Sequence, residues 1–153
     1  ILPWDNIKSL RIKSLLDAEK VIDNLIADFH DNNIKLKSQD ITKPESFFPK
    51  RTKKDGKIDL TKSTNEIFNL IRGVSHPFPG AFFSLKNDKK ITVWDAHPFS
   101  YSLFVENKYK VGEILKIISD NSFLLKTIDG VLLINDYTCD VENIKVGNNI
   151  NEI

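Results

Sequence analysis

The stretch Ile71-Arg72-Gly73-Val74-Ser75-His76-Pro77-Phe78-Pro79-Gly80-Ala81-Phe82-Phe83 decides how this chain is read. Gly73 offers a helix stop. Pro77 and Pro79 each fix φ and remove a backbone donor, and Gly80 can take angles that other residues avoid. From Ala81 onward the residues are those of a strand. A rigid corner of this kind joins two differently built regions at a set angle.

Upstream of the corner the pattern is helical. Asp5 and Asn6 can cap a helix, and Leu15, Ala18, Ile22, Leu25, Ile26 and Phe29 recur at helical spacing. The spacing predicts one helix from about residue 7 to about residue 29. Asp31-Asn32-Asn33 ends it, and residues 34 to 56 read as irregular, with a short extended piece at Ile34 to Leu36. Ile58 and Leu60 alternate with polar neighbours as an extended lead-in. Ser63 and Glu66 then form a capping box: the Ser63 hydroxyl accepts from the Glu66 amide, and the Glu66 side chain reaches back. Ile67, Leu70 and Ile71 give this second helix its buried face.

Downstream everything reads as β. Ala81 to Leu85, Lys90 to Ala96, Glu113 to Ile118, Ser122 to Thr127 and Val131 to Tyr137 are expected strands, mostly joined by short turns such as Ile128-Asp129-Gly130. Residues 97 to 111 form a longer loop, and the tail from Cys139 offers one more edge strand. The expected fold is α+β: a helical N-terminal portion and linker, residues 1–80, followed by a small antiparallel β-barrel of OB-like form, residues 81–153.

Composition sets the outer bounds. The 153 residues are 41% hydrophobic and 28% charged, which fits a globular chain rather than a disordered one. Twenty-two basic residues face 21 acidic ones, so a net charge of +1 leaves no overall footprint for nucleic acid. A single cysteine, Cys139, excludes an internal disulfide and any multi-cysteine zinc site, which points to a cytoplasmic setting. No apolar run reaches the length of a membrane span. The chain starts at Ile1 and holds no methionine, so a piece of a longer protein is expected.

Several segments together resemble one family. Phe48-Pro49-Lys50-Arg51, Asp55-Gly56-Lys57-Ile58-Asp59-Leu60, the helix Ser63 to Arg72, and the Pro77-x-Pro79-Gly80-Ala81 corner follow in the order seen in the folate-dependent formyltransferases. So do Lys90 to Trp94, Gly112-Glu113-Ile114 and Asp129 to Leu132. The chain resembles the C-terminal region of methionyl-tRNA formyltransferase and of the sugar-nucleotide N-formyltransferases, from about Trp4 to about Tyr137. Leu60 stands where the family usually has Trp. The family's catalytic Asn-x-His motif and distant Asp lie in an N-terminal Rossmann-like domain, and no Asn-x-His occurs here. The resemblance therefore implies a late helix of the catalytic domain, a linker and a barrel, with no catalytic residue in this chain. It implies formyl-tetrahydrofolate as cofactor, bound mainly by a domain absent from this chain.

The candidate substrate-binding residues are Phe48, Lys50, Arg51, Asp59 and His76. Lys50 and Arg51, with Lys53 and Lys54, form the one basic cluster. It can face a pyrophosphate, because Arg offers a two-pronged fork, or be a solvated loop beside Asp55. Phe48, with Phe47, can stack on a base or anchor its loop. His76 can contact a phosphate, though packing beside two prolines is the plainer reading. Cys139 lacks a partner base, so nucleophilic work is not expected of it. No metal site is expected from His30 and His97, which lack paired ligands.

The first functional expectation is the C-terminal part of a sugar-nucleotide N-formyltransferase. This part would shape the substrate site or hold a homodimer, with a nucleotide sugar as partner. The near-neutral charge and the form of Pro77 to Phe83 favour it over a tRNA-binding part of methionyl-tRNA formyltransferase. A non-catalytic assembly module is the third possibility, since fold does not imply function.

Overall fold

The computed structural model describes residues 1–100, 108–141 and 144–153. Helix α1 spans Ile7–His30 and helix α2 spans Thr64–Val74. Five strands follow: β1 at Ala81–Ser84, β2 at Lys90–Pro98, β3 at Ile114–Ser119, β4 at Ser122–Lys126 and β5 at Val131–Cys139. They form one antiparallel sheet in the order β1-β2-β5-β4-β3. The edge strands β1 and β3 stay apart, so the barrel is not closed and is OB-like only loosely. The α+β class and the five strands agree with the sequence reading to within a few residues. The expected loop between β2 and β3 falls partly on residues 101–107, outside the described residues.

Alternation in the strands fixes which face is covered. In β1 the pattern is buried, half-buried, buried, exposed, so Ala81 and Phe83 turn inward. Phe123 and Leu125 of β4 and Leu132 and Ile134 of β5 fill the centre with no measurable exposure. Helix α2 lays Ile67, Ile71 and Val74 on that layer, and Ile58, Leu60 and Ile150 close its edges. Each fully buried side chain of this size contributes about 1.5–3 kcal/mol by leaving water. The core thus draws on residues from 58 to 150 as one cluster.

Three local readings need correction. Gly73 does not stop α2; the helix runs through it to Val74, which is buried, and extended Ser75 ends it. The pull of Val74 into the core outweighs the weak helix preference of glycine. Among the described residues the tail adds no strand beyond the five. It reaches the start of β3 through one antiparallel bridge, Glu113 with Asn149, and plugs the core with Ile150. No extended strand forms at Ile34 to Leu36 either, and Leu36 is exposed.

The expected first helix is present and starts as its residues dictate. Asn6 accepts from the Ser9 amide at 3.0 Å, and the Ser9 hydroxyl accepts from the Asn6 amide at 3.1 Å. None of its 24 residues is buried. No helix among the described residues is long and apolar enough to cross a membrane.

Candidate functional site

The site begins with two glycines. Residues 53–56 make one turn of 3-10 helix, capped by a reciprocal Thr52–Asp55 pair. Gly56 then passes so close to the corner that a Cβ on it would meet the Gly80 carbonyl oxygen at 2.6 Å. Gly80 itself holds φ at 85°, where a Cβ would strike Thr92 and the Trp94 ring at under 3 Å. These contacts lay residues 57–60 alongside β1. The Ile58 amide donates to the Phe82 carbonyl at 2.7 Å.

Alternation along this segment then does the rest. Ile58 and Leu60 turn into the core, while Lys57, Asp59 and Thr61 turn out. The outward row, with Val111, Ile128 and Asn151, lines an open groove of about 620 Å³. A smaller groove of about 260 Å³ continues past Lys57 and Asp59 to Lys62, Glu66, Ile67 and Leu70. The larger volume lies in the range of roughly 300–1,000 Å³ used by small-molecule sites.

Asp59 sits where the two grooves meet. Its carboxylate accepts from the Thr61 amide at 2.9 Å and the Thr61 hydroxyl at 2.8 Å. Those bonds, first the amide and then the hydroxyl, hold its pKa below the usual carboxylate range, and the charges of Lys62 and Lys57 add to the effect. It is therefore an anion at neutral pH: an acceptor for hydroxyl or amine donors, not a proton carrier. Glu66 is likewise committed. It accepts from the Ser63 hydroxyl at 2.7 Å and the Ser63 amide at 3.0 Å, which lowers its pKa.

The other sequence candidates lie apart from Asp59. Phe48 is 90% exposed, and Lys50 and Arg51 are exposed just before the capped turn. Arg51 adds a cationic field at Asp55. His76 is exposed and lies flat on the Trp94 ring, with centroids 4.0 Å apart and planes 11° from parallel. Its stack is braced by the Ser75 hydroxyl donating to the Trp94 carbonyl at 2.7 Å. No hydrogen bond, ion pair or ring contact among the described residues joins these four to Asp59. Cys139 is half-buried, and burial raises its thiol pKa, so it is no ready nucleophile. Among the described residues no cluster of His, Cys, Asp or Glu can hold a metal ion.

Sequence reasoning missed how three groups are placed. Asp129 in the β4–β5 turn caps α2 from afar, accepting from the Thr64 amide at 2.8 Å and hydroxyl at 2.6 Å. Arg72 in the last turn of α2 donates to the carbonyls of Pro3 and Asp5 at 3.1 and 3.0 Å, tying the N-terminal segment to the sheet body. Asp5 is only 3% exposed and accepts from the Leu2 amide, Lys13 and Ser9. The Leu2 amide foremost, then Lys13, drives its pKa far below the usual range. The first two contacts span 65 residues or more, and no local pattern announces them.

Comparison with known proteins agrees with this architecture. Residues 50–145 match the family model described as "Formyl transferase, C-terminal domain". The bifunctional polymyxin resistance protein ArnA of Wigglesworthia glossinidia brevipalpis is 55% identical over 49 residues, 32% of this chain and 7% of that protein. Among solved structures, a variant of HypX from Aquifex aeolicus superposes with a TM-score of 0.67 at 19% identity, covering 89% of this chain and 23% of HypX. HypX in complex with tetrahydrofolic acid superposes with a TM-score of 0.55 at 21% identity, over 76% of this chain and 19% of HypX. The chain thus spans less than a quarter of each of these relatives. With the family match running from the basic cluster through all five strands, the chain belongs to the formyl transferase C-terminal domain family.

Proposed function

We propose that this chain is the C-terminal part of a sugar-nucleotide N-formyltransferase, which moves a formyl group from formyl-tetrahydrofolate to an amino sugar. Residues 1–80 supply the end of the catalytic domain and the linker, and residues 81–153 the accessory sheet. The observation that carries the choice of acceptor is the 55% identity with a polymyxin resistance protein, supported by a net charge of +1. A tRNA-gripping surface needs phosphate-neutralising charge. In this reading the amine attacks the formyl carbon in a neighbouring domain of the cytoplasmic enzyme, and the tetrahydrofolate leaves. Residues of the present chain hold the nucleotide sugar. Lys50 and Arg51 meet the pyrophosphate, Phe48 stacks on the base, Asp59 accepts from sugar hydroxyls, and His76 lines the corner.

Titration of the chain with a UDP-hexosamine, in parallel with a gel shift on bulk tRNA, tests the choice. The expected result is nucleotide-sugar binding that weakens in Arg51→Ala, with no tRNA shift at low salt. A tRNA shift that fades steeply with salt, with no nucleotide-sugar binding, would move the chain to the tRNA enzyme.

A further inference from the structure

One wall of the groove beside Asp59 comes from the tail. Lys57 to Thr61 form one side, Val111 and Ile128 add apolar lining, and Asn151 completes it. Residues 57–61, Val111 and Ile128 fall inside the segment matched to the family model, residues 50–145, whereas Asn151 lies beyond it. The shared walls give the groove its general form. The tail is where this chain can set a preference of its own.

That wall is firmly placed. Ile150 is 1% exposed, and its amide donates to the Gly112 carbonyl at 2.8 Å. The Asn149 side chain braces both neighbours. Its nitrogen donates to the Val111 carbonyl at 2.9 Å, and its oxygen accepts from the Asn151 amide at 3.0 Å. Gly112 leaves room for this arrangement. It holds φ at 87°, and a Cβ there would meet Asn149 at 2.9 Å and both Asn151 and Leu60 at 3.1 Å. Burial of Ile150 and the bonds of Asn149 thus fix where Asn151 stands relative to Val111 and Leu60.

The Asn151 side chain itself is uncommitted. Its backbone amide is bonded, but its carboxamide makes no hydrogen bond among the described residues. Asp59 on the other wall is an anion already engaged by Thr61, and it offers acceptor oxygens only. A carboxamide offers a donor and an acceptor together. The lining also includes the apolar side chains of Leu60, Val111 and Ile128. Sites of this build take a ligand by its apolar surface and orient it with a few polar groups. A pyranose ring has that form, with C–H groups on its faces and hydroxyls around its edge.

We infer that Asn151 is a specificity-determining residue, whose carboxamide exchanges hydrogen bonds with one ring hydroxyl of the acceptor sugar and so selects among nucleotide sugars. This rests on the nucleotide-sugar reading given above. At an exposed groove edge a single hydroxyl read in this way changes affinity by about fivefold. Specificity is that difference between related sugars, not the affinity for any one of them.

Calorimetric titration of the whole chain and of Asn151→Ala tests it, with a UDP-hexosamine and its analogues that each lack one ring hydroxyl. The expected result is that the wild-type chain binds one analogue about fivefold more weakly than the parent sugar. Asn151→Ala binds the parent about fivefold more weakly and no longer distinguishes it from that analogue, while keeping its other preferences. Its melting is unchanged, because the side chain is exposed and bonded to nothing in the fold. The side-chain amide resonance of Asn151 shifts on saturation with the parent sugar. If Asn151→Ala keeps every preference of the wild type, the inference is overturned and the nucleotide-sugar reading stands. If the wild-type chain binds no UDP-hexosamine, both fall together.

Discussion

Helices α1 and α2 begin alike and end in opposite circumstances. Each opens with a reciprocal capping box, Asn6 with Ser9 and Ser63 with Glu66. The longer helix, with 24 residues, buries none of them; the shorter, with 11, buries Thr64, Ile67, Ile71 and Val74. The difference teaches that caps and apolar spacing set where a helix starts and which face it offers. Whether that face is buried depends on what stands opposite. Helix α2 faces a sheet laid down in the same chain, whereas α1 meets α2 at only a few positions and leaves most of its apolar side chains exposed among the described residues.

The strongest way to break the comparison is to cut into the part that should be self-sufficient. Phe123→Ala removes a fully buried ring at the centre of the sheet and is expected to cost about 3–5 kcal/mol in denaturant unfolding. Leu25→Ala on α1, measured in dilute monomer, is expected to stay within about 0.5 kcal/mol. Equal losses would show that α1 is part of the same core. Gly80→Ala comes next, because it forces a Cβ into Trp94 from a left-handed backbone. A loss of about 1–3 kcal/mol is expected, with His76 released from its stack.

Asp129→Ala sharpens the account of α2. It removes the cap on the Thr64 amide and is expected to cost about 1 kcal/mol. The sign of its pH dependence is fixed. The Asp129 pKa is lowered on folding by the Thr64 hydroxyl and amide, so its contribution is full above the unfolded carboxylate range. That contribution is lost as pH falls through and below that range. The acid limb of the stability curve should flatten in Asp129→Asn. A milder acid effect belongs to α1. Asp5, held far lower by Leu2 and Lys13, should keep the N-terminal clasp until well below pH 4, and amide exchange near Ser9 should then quicken before the sheet yields. Simultaneous loss of clasp and sheet would contradict two separate regions.

Much of this was legible in the residues. The strands of the sheet and the Ser63–Glu66 box follow from period-two alternation and from one local hydrogen-bond pattern. Asp59 was marked by its segment, and alternation around Ile58 and Leu60 explains why it points outward. What was not legible is what depends on distance. The bond from Asp129 to Thr64 joins groups 65 positions apart. Arg72 looks from its position like a last-turn charge complementing the dipole, yet it grips carbonyls of the N-terminal segment. Gly73 carried a stop signal that the burial of Val74 overrode. The helical spacing of α1 was seen, but its side chains stay exposed among the described residues because what would cover them depends on distant parts of the fold.

The claim that matters most for function is that the groove beside Asp59 and the basic segment before it receive a nucleotide sugar. Amide chemical-shift mapping of the chain during titration with a UDP-hexosamine tests this directly. The account predicts saturating shifts at Lys50, Arg51 and Lys57 to Thr61, extending to Val111, Ile128 and Asn151, and leaving α1 still. Saturating shifts confined to other surfaces, or none at those positions while tRNA shifts them, would contradict it.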